Sequence, residues 1–314
     1  MGAGRIIHVV AAVIRNNDGE ILTTLRHDHL HQGGLWEFPG GKLEVDESRL
    51  NGLKRELSEE LAIEVQAATP LIQVPHHYED RSVLLDIWEV TQFSGDPQGA
   101  EGQQLRWSKI DALTAKEFPA ADRPVLTALQ LPDRYLITGK AEGRDDFLQK
   151  LERVLEQGIQ LVQFRAPELE QEPYLELARA VIEKAHGYNA RVLLNGDPAW
   201  VSQVGADGIH LNGHRLKELS GRPFEENLLV SASLHNADEI QRAADIGVDF
   251  AVLSAVLPTK THPDREPLGW DYFAELVAAA PYPVYALGGV DQKHIQQARE
   301  RGGHGVAAIR AFWN

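Results

Sequence analysis

Two patterns of hydrophobic and polar positions divide this chain. Residues 5 to 130 combine strand-like runs with one long amphipathic helix, and the runs are Ile6 to Arg15, Glu20 to Arg26 and Val83 to Val90. Turn signals such as Asn17-Asp18-Gly19 separate these runs. Apolar runs of this length between turn signals, together with a helical period, predict a mixed α/β domain.

The pattern changes at Leu131-Pro132-Asp133. From Tyr135 onwards, short apolar strands alternate with helical stretches, and eight such strands occur. This alternation is typical of βα units with parallel strands, and eight units predict a closed (β/α)8 TIM-like barrel. We therefore predict two α/β domains, residues 1 to 131 and residues 135 to 314. The second is compact for a barrel, whose typical size is about 250 residues.

The long amphipathic helix carries an acidic cluster. Glu56, Glu59 and Glu60 are three and four positions apart, so their carboxylates project from neighbouring positions on one face. The opposite face is apolar and is expected to dock on the core; it contains Leu50, Leu53, Leu57 and Leu61. Like charges so placed repel one another. A hard divalent cation such as Mg²⁺, which prefers carboxylate oxygen, would relieve that repulsion.

Composition excludes several classes of function. The formal charge of −15 argues against binding to a nucleic acid polymer, although bound Mg²⁺ would allow a phosphorylated small molecule. Cysteine is absent, which rules out disulfides and thiolate catalysis and fits a reducing cytoplasm. The early apolar run, Ile6 to Ile14, is too short to span a bilayer, and no signal-peptide pattern precedes it. We expect a soluble protein without a membrane partner.

The acidic helix and the residues before it resemble the signature of the Nudix hydrolases. That signature is a glycine, five residues, a glutamate, seven residues and then Arg-Glu-apolar-any-Glu-Glu-any-Gly-apolar. The matching positions are Gly41, Glu47, Arg55, Glu56, Leu57, Glu59, Glu60 and Ile63. Ala62 stands where the signature has glycine, and because alanine is a good helix former we expect it to prolong the last helical turn. A solvated acidic helix is the alternative interpretation.

The resemblance covers nearly all of residues 5 to 130 and is strongest with MutT-type enzymes, which hydrolyse oxidised guanine nucleoside triphosphates. The segments that carry it are Arg26, Phe38 to Lys42, Asp80-Arg81, Glu101 to Gln103 and Phe118 to Val125. It implies an α/β/α sandwich with a mixed sheet. It also implies a Mg²⁺-dependent diphosphatase, with Mn²⁺ as a possible substitute, that releases pyrophosphate and a monophosphate from a nucleotide such as 8-oxo-dGTP.

The same resemblance implies roles for individual residues. The metal-binding set would be the Gly40 carbonyl, Glu56, Glu60 and Glu101. The catalytic set would be Arg55, Glu56, Glu59 and Glu101, in which one carboxylate orients or deprotonates water and Arg55 braces the glutamates. Substrate binding would involve Phe38, Arg26 and Lys42. The two cations could meet phosphate oxygens, and they are equally plausible as ordinary surface charges.

Asp122 departs from the MutT-like pattern, which has an asparagine that pairs with the base. Asparagine can both donate and accept a hydrogen bond, whereas an ionised aspartate can only accept. An oxidised guanine offers its N7–H as donor and O6 as acceptor, so one contact is lost unless Asp122 is protonated. Burial would favour the protonated form. A helix N-cap ahead of Arg123-Pro124 is the alternative interpretation.

The second domain, from Tyr135 to Phe312, resembles thiamine phosphate synthases and their TenI-type relatives. The matching segments are Gln163 to Arg165, Leu194-Asn195, Gly205 to Leu211, Ser231 to His235, Pro258-Thr259, Ala286 to Val290 and Gly305 to Ala307. The resemblance implies a site for thiazole phosphate or another phosphate ligand at the mouth of the barrel. The candidate residues are Arg165, Asn195, His235, Gly288 and Gly289.

Residues that the synthase reaction needs are missing. Gly196 and Arg215 replace carboxylates that would bind Mg²⁺ and the pyrimidine diphosphate, and Pro167 and His262 replace lysines. We therefore expect a degenerate barrel that still binds phosphate. The alternative is a protein of the thiamine pathway, whose barrel is a ligand-binding sensor or a thiazole tautomerase in which His235 transfers protons.

Overall fold

The computed structural model describes residues 6 to 225, 227 to 259 and 266 to 313. His262, which replaces an expected lysine, lies outside these ranges. The chain divides into two compact units, Met1–Gln130 and Leu131–Asn314. No helix in the described ranges is both long enough and apolar enough to cross a membrane.

The first unit is built from strands with two α-helices, as far as its residues are described. Its elements are β1 (Ile7–Ile14), β2 (Ile21–Leu25), β3 (Trp36–Glu37), β4 (Gly40–Lys42), α1 (Arg49–Leu61), β5 (Glu64–His77), β6 (Ser82–Ser94), β7 (Leu105–Ser108) and α2 (Arg123–Gln130). Short 3-10 turns occupy Ile110–Ala112, Ala115–Glu117 and Ala120–Asp122.

A mixed sheet forms the centre of this unit. Its described strands run in the order β4, β1, β6, β5, with β1 parallel to β6 and the other pairs antiparallel. Strands β3, β2 and β7 form a smaller antiparallel sheet. Leucines of α1 are buried with Val10 and Trp88 against one face, while Val125 and Leu126 of α2 are buried with Ile87 against the other. The predicted α/β/α sandwich with a mixed sheet is confirmed.

Helix α1 is fixed at both ends. Its N-cap Ser48 accepts a hydrogen bond from the Asn51 N–H at 3.3 Å. At its C-terminus, Ala62 takes the left-handed conformation (φ 55°, ψ 33°) and ends the helix. The expectation that Ala62 prolongs the last turn was therefore wrong. The next residue, Ile63, must enter the core, where it is 1% exposed, and this reversal requires a conformation that costs a non-glycine residue about 1 kcal/mol.

The second unit alternates strands and helices throughout its described part. Its elements are β8 (Arg134–Ile137), α3 (Arg144–Glu156), β9 (Leu161–Phe164), α4 (Gln171–His186), β10 (Arg191–Leu194), α5 (Trp200–Val204), β11 (Gly208–Leu211), α6 (Gly213–Glu218), β12 (Leu229–Leu234), α7 (Ala237–Ile246), β13 (Phe250–Ser254), α8 (Gly269–Val277), β14 (Val284–Leu287), α9 (Ile295–Glu300), β15 (Gly305–Ala308) and α10 (Arg310–Trp313).

These strands close into a parallel barrel, in which β15 pairs with β8. The eight strands predicted from the sequence are all present in it, so the predicted (β/α)8 barrel is confirmed. Tyr135, Phe250 and Tyr285 pack against one another in its interior, with ring centroids 5.4 to 5.7 Å apart. The carboxyl ends of parallel strands meet at one rim, which is where barrels build their ligand sites.

Candidate active site

Two glycines bring strand β4 close to the acidic face of α1. The Gly40 N–H donates a hydrogen bond to Glu60 at 2.7 Å. A Cβ at Gly40 would lie 2.2 Å from the Val10 carbonyl oxygen, and one at Gly41 would lie 2.1 Å from Oε2 of Glu56. A side chain at Gly40 would push β4 away from β1, and a side chain at Gly41 would push it away from the helix. Glycine is therefore required for this close approach.

Four carboxylates line one cavity of about 140 Å³ beside β4, which we call the acidic cavity. They belong to Glu37, Glu56, Glu60 and Glu101. Gln103 ties the loop of Glu101 to α1, because its side chain donates to the Glu60 carbonyl at 2.8 Å and accepts from the Glu101 N–H at 3.0 Å. The structure thus brings together the predicted metal-binding residues from three separate segments.

Arg55 forms hydrogen bonds with three glutamates at and beside the acidic cavity. Its guanidinium donates to Glu47 at 2.9 and 3.1 Å, to Glu56 at 2.8 Å and to Glu59 at 3.2 Å. These hydrogen bonds, with Glu47 contributing most, hold the pKa of Arg55 above its usual value. Glu59 is 59% exposed and is not among the residues that line the acidic cavity. The helical spacing alone did not separate Glu59 from its two neighbours.

The acidic cavity contains more carboxylates than neighbouring positive charges can balance. Burial raises the pKa of Glu60 to about 7, with further contributions from the charges of Glu37 and Glu101, although the Gly40 N–H acts in the opposite direction. Burial likewise raises the pKa of Glu37 to about 7, even though Arg26 pairs with it. A cation bound here would favour the ionised forms.

The donors present fit a hard divalent cation in their chemistry. Carboxylate and carbonyl oxygens are the ligands such ions prefer, and Gly40 lines the same cavity as the glutamates. Within the described ranges, however, no three His, Asp or Glu side chains stand close enough together to hold a metal ion. The residues are gathered around one cavity without being preassembled around one point.

A larger cavity of about 370 Å³ adjoins the acidic one, and Arg26, Glu37 and Gly40 line both. Its walls are largely apolar and include Ile7, Val9, Ala11, Val83 and Leu85. Phe38, Lys42, Tyr78, Arg81 and Asp122 also line it. An apolar chamber with a few polar groups is suited to a planar ring such as a nucleobase.

The carboxyl of Asp122 is the buried acid of this larger cavity. The residue is 6% exposed, and burial raises its pKa to about 7 despite a hydrogen bond from the Phe38 N–H and the nearby charge of Arg26. Asp122 belongs to a 3-10 turn that runs directly into α2. Among the described residues its side chain caps no N–H of α2, so the N-cap interpretation was wrong. The placement is compatible with contact to a ligand.

The three other predicted substrate-binding residues lie at different depths. Arg26 donates to Glu37 and, through Nε, to the His31 carbonyl at 3.0 Å, so it is not an ordinary surface charge. Lys42 is exposed at the edge of the larger cavity. The phenyl ring of Phe38 packs on Phe118, with ring centroids 5.7 Å apart, and is buried.

Glu37 and Tyr78 are cavity residues that the sequence pattern did not single out. Tyr78 lies at the larger cavity with its ring against His31 and His76, at centroid distances of 4.9 and 4.4 Å. The sequence contains only a weak indication of Glu37, which is a single acid between two aromatic residues and directly precedes the segment Phe38 to Lys42. A charged residue inside an otherwise apolar strand would have been the reason to single it out.

The candidate barrel residues all follow the carboxyl ends of strands. Asn195 follows β10 and donates to the buried Gln163 side chain at 2.9 Å. His235 follows β12, and its Nδ1 lies 2.9 Å from a Glu239 carboxylate oxygen. Arg165 follows β9 and is exposed. The structure places these residues on one rim of the barrel.

The glycine pair after β14 completes this rim. Gly288 and Gly289 have φ values of 95° and 72°. A Cβ on Gly289 would lie 2.7 Å from the Pro258 carbonyl oxygen, so the two loops pass in close contact. Glycine is needed for both the conformation and the approach.

The two positions that lack a synthase carboxylate have different surroundings. A Cβ on Gly196 would lie 3.0 Å from the Trp200 ring and 3.1 Å from the Tyr174 hydroxyl. Ahead of Arg215, the Asn212 side chain accepts from the Arg215 N–H at 3.0 Å and caps α6. An aspartate at position 196 would have to displace two aromatic side chains.

Comparison with known proteins assigns different relatives to the two units. A family model described as NUDIX domain matches residues 10–128, and one described as Thiamine monophosphate synthase matches residues 134–312. An 8-oxo-dGTP diphosphatase of Escherichia coli is 35% identical over 124 residues, which are 40% of this chain and 96% of that protein. A thiamine-phosphate synthase of Thermus thermophilus is 33% identical over 168 residues, which are 52% of this chain and 80% of that protein.

Proposed function

The chain belongs to the Nudix family over residues 10–128 and to the thiamine monophosphate synthase family over residues 134–312, and on that premise we propose that it hydrolyses oxidised purine nucleoside triphosphates to monophosphate and pyrophosphate. The first unit is a Nudix hydrolase that acts on phosphorus anhydrides. We propose that its substrate is a nucleotide such as 8-oxo-dGTP.

One observation carries the proposal: an acidic cavity adjoins an apolar one. The four glutamates of the acidic cavity suit a metal-bound polyphosphate, and the larger cavity suits a base. Since Arg26, Glu37 and Gly40 line both, one extended molecule can occupy the two cavities together. A nucleoside triphosphate has these two chemically different ends.

Nudix hydrolases use a divalent cation, and we propose Mg²⁺, with Mn²⁺ as a substitute. Glu56, Glu60, Glu101 and the Gly40 carbonyl would hold it. When bound, such a cation offsets the charge of the triphosphate and of the pyrophosphate that leaves. Its charge would also compensate the buried carboxylate of Glu60, whose pKa the protein alone raises to about 7.

The side chains of the acidic cavity then have separate tasks. Glu56 or Glu101 orients the attacking water and takes its proton, because both line the cavity and carboxylates are competent bases. Arg55 holds Glu56 in place through its hydrogen bond of 2.8 Å. Glu59 is held by the same guanidinium outside the cavity, and its catalytic role stays a prediction.

In the larger cavity, Asp122 reads the edge of the base. A protonated carboxyl accepts from N7–H of 8-oxoguanine and donates to O6, whereas a carboxylate favours the two adjacent donors of 8-oxoadenine, N7–H and the 6-amino group. The buried position of Asp122 makes the protonated form accessible near neutral pH, where its pKa of about 7 lies. Both oxidised purines are therefore candidate substrates.

A hydrolysis panel tests the proposed function. The full chain is incubated with Mg²⁺ or Mn²⁺ and with 8-oxo-dGTP, 8-oxo-dATP, their unoxidised counterparts and thiamine-related diphosphates. Pyrophosphate, orthophosphate and the nucleotide product are measured separately. We expect pyrophosphate and a nucleoside monophosphate from the oxidised purines. Release of orthophosphate alone, or hydrolysis confined to the thiamine-related compounds, would contradict the proposal.

The barrel supports a second, separate candidate function. The hydrogen bond between His235 and Glu239 is a geometry suited to proton transfer at the rim, as in a thiazole tautomerase. Since Gly196 and Arg215 replace the carboxylates of the synthase reaction, we propose that the barrel binds a phosphate ligand such as thiazole phosphate without forming thiamine phosphate. Titration with thiazole phosphate, and an assay for its isomerisation by wild type and His235→Asn, test this. Formation of thiamine phosphate would refute it.

A further inference from the structure

The ion pair between Arg26 and Glu37 lies where the two cavities of the Nudix unit meet. Arg26 follows β2 and Glu37 belongs to β3, and both residues line the acidic cavity and the larger cavity. A nucleotide with its base in one cavity and its polyphosphate in the other must place its sugar and first phosphate at this junction. The pair is thus positioned to contact the part of the substrate that links the two ends.

The guanidinium of Arg26 is held on two sides and open on the third. Nη1 donates to the Glu37 carboxylate, and Nε donates to the His31 carbonyl at 3.0 Å. Within the described part of the chain, Nη2 has no hydrogen-bond partner. Because the guanidinium is planar, fixing two of its nitrogens fixes the direction of the third. Its remaining donors are available to a ligand in the cavities.

Stability alone gives a weak reason for this arrangement. The side chains of Arg26 and Glu37 are only 25% and 22% exposed. Taking both charges out of water costs free energy that their attraction often fails to recover, and replacing a buried pair by well-packed hydrophobic residues is often neutral or stabilising. Burying Glu37 beside Arg26 is therefore better explained by a role in ligand binding than by a gain in stability.

We propose that Glu37 is a positioning residue that aims the unpaired Nη2 of Arg26 at an oxygen of the phosphate attached to the sugar. Arginine suits this task because its fork of donors matches phosphate oxygens. The inference rests on the proposed function, since it needs a nucleotide that spans both cavities. It assigns Glu37 a role that acts through Arg26 and involves no direct contact with the reacting atoms.

A double-mutant cycle tests whether Glu37 acts through Arg26. The variants are Glu37→Gln, Arg26→Ala and the double variant, assayed for kcat and KM on the oxidised nucleotide that wild type hydrolyses best. A hydrogen bond to a charged group corresponds to about 10- to 100-fold in kcat/KM. We expect about a tenfold loss for Glu37→Gln, a larger loss for Arg26→Ala, and no further loss in the double variant.

The matched control is Glu89→Gln. Glu89 pairs with Arg15 at 3.2 Å in the same unit, with side chains 31% and 34% exposed, and neither residue lines the two cavities. It should leave kcat/KM unchanged. The positioning role of Glu37 would be overturned if the two single losses in kcat/KM multiply in the double variant. It would also be overturned if Glu37→Gln leaves kcat/KM unchanged. If wild type itself releases no pyrophosphate from any nucleotide, the proposed function fails. This result differs from a failure of the positioning role, in which wild type is active.

Binding measurements without turnover keep the inference testable if Arg26→Ala folds poorly. Calorimetric titrations compare Glu37→Gln with wild type, using the nucleoside monophosphate and the free nucleoside of the same base. Loss of aim at a phosphate should weaken monophosphate binding about tenfold and leave nucleoside binding unchanged. Equal weakening of both ligands would mean that Glu37 shapes the base cavity, and would contradict the proposal.

Discussion

Replacing Asp122 by asparagine should change which oxidised purine the enzyme prefers and how that preference depends on pH. If the wild-type carboxyl contacts the base as proposed, it would bind 8-oxoguanine well only while it is protonated, since the ionised form would face O6 with a second acceptor. The amide of Asp122→Asn can accept from N7–H and donate to O6 at every pH. We therefore expect the variant to favour 8-oxo-dGTP over 8-oxo-dATP in alkaline solution, where wild type does not.

The magnitude follows from the burial of Asp122 and from its pKa of about 7. A buried acceptor that faces another acceptor costs on the order of 1–3 kcal/mol, or roughly 10- to 100-fold in kcat/KM. With this pKa, the protonated fraction falls from about nine tenths at about pH 6 to about one tenth at about pH 8. The wild-type ratio of kcat/KM for 8-oxo-dGTP to that for 8-oxo-dATP should fall about tenfold over this range.

The assay is pyrophosphate release from each nucleotide by wild type and Asp122→Asn, from about pH 6 to about pH 9. Using the ratio of two substrates in one protein cancels ionisations that affect both alike. The reasoning predicts a falling ratio for wild type and a flat one for the variant. Superimposable profiles would refute it and would mean that other residues of the larger cavity read the base.

Three further predictions follow from the local geometry. Ala62→Gly should raise the free energy of unfolding by about 1 kcal/mol in thermal denaturation, because it removes a left-handed alanine; a lower Tm would contradict this. In metal-free protein, the pKa of Glu60 is about 7 in the native state and 4.5 in the unfolded state, so the native state binds more protons between these two pH values. Wild-type stability should therefore fall as pH rises through this window. The stability of Glu60→Gln should fall less than that of wild type over the same window. An equal fall in the Tm of both proteins would argue against the raised pKa of Glu60. Gly196→Asp should lower Tm, because its Cβ alone would lie 3.0 Å from Trp200, and an unchanged Tm would mean that the site can open.

The strands show where the sequence pattern was sufficient. Each barrel strand is a short apolar run with its own turn signals, and all eight were predicted. The longest strand of the first unit, β5, was not identified, since Pro70 and Pro75 interrupt its pattern. It lies at the edge of its sheet, and register shifts occur beside Pro70. Proline is tolerated at such a position because an edge strand can lack a hydrogen-bond donor.

The acidic helix shows where sequence was insufficient. The spacing placed Glu56, Glu59 and Glu60 on one face, but it could not tell which of them meets the two glycines of β4. That distinction depends on how β4 packs beside α1, and it leaves Glu59 outside the cavity. Ala62 was misjudged for a related reason: helix propensity favoured another turn, while burial of Ile63 required the helix to end. In both cases tertiary packing outweighed local preference.

The central claim is that the glutamates of the acidic cavity perform a metal-dependent pyrophosphohydrolysis, and its most direct test is pyrophosphate release from 8-oxo-dGTP with Mg²⁺. Wild type is compared with Glu56→Gln and Glu60→Gln, with Glu89→Gln as the control and melting curves to confirm folding. The account predicts that both cavity variants lose at least about 100-fold in kcat while remaining folded, and that the control retains full turnover. Near-wild-type turnover in both cavity variants would contradict the account.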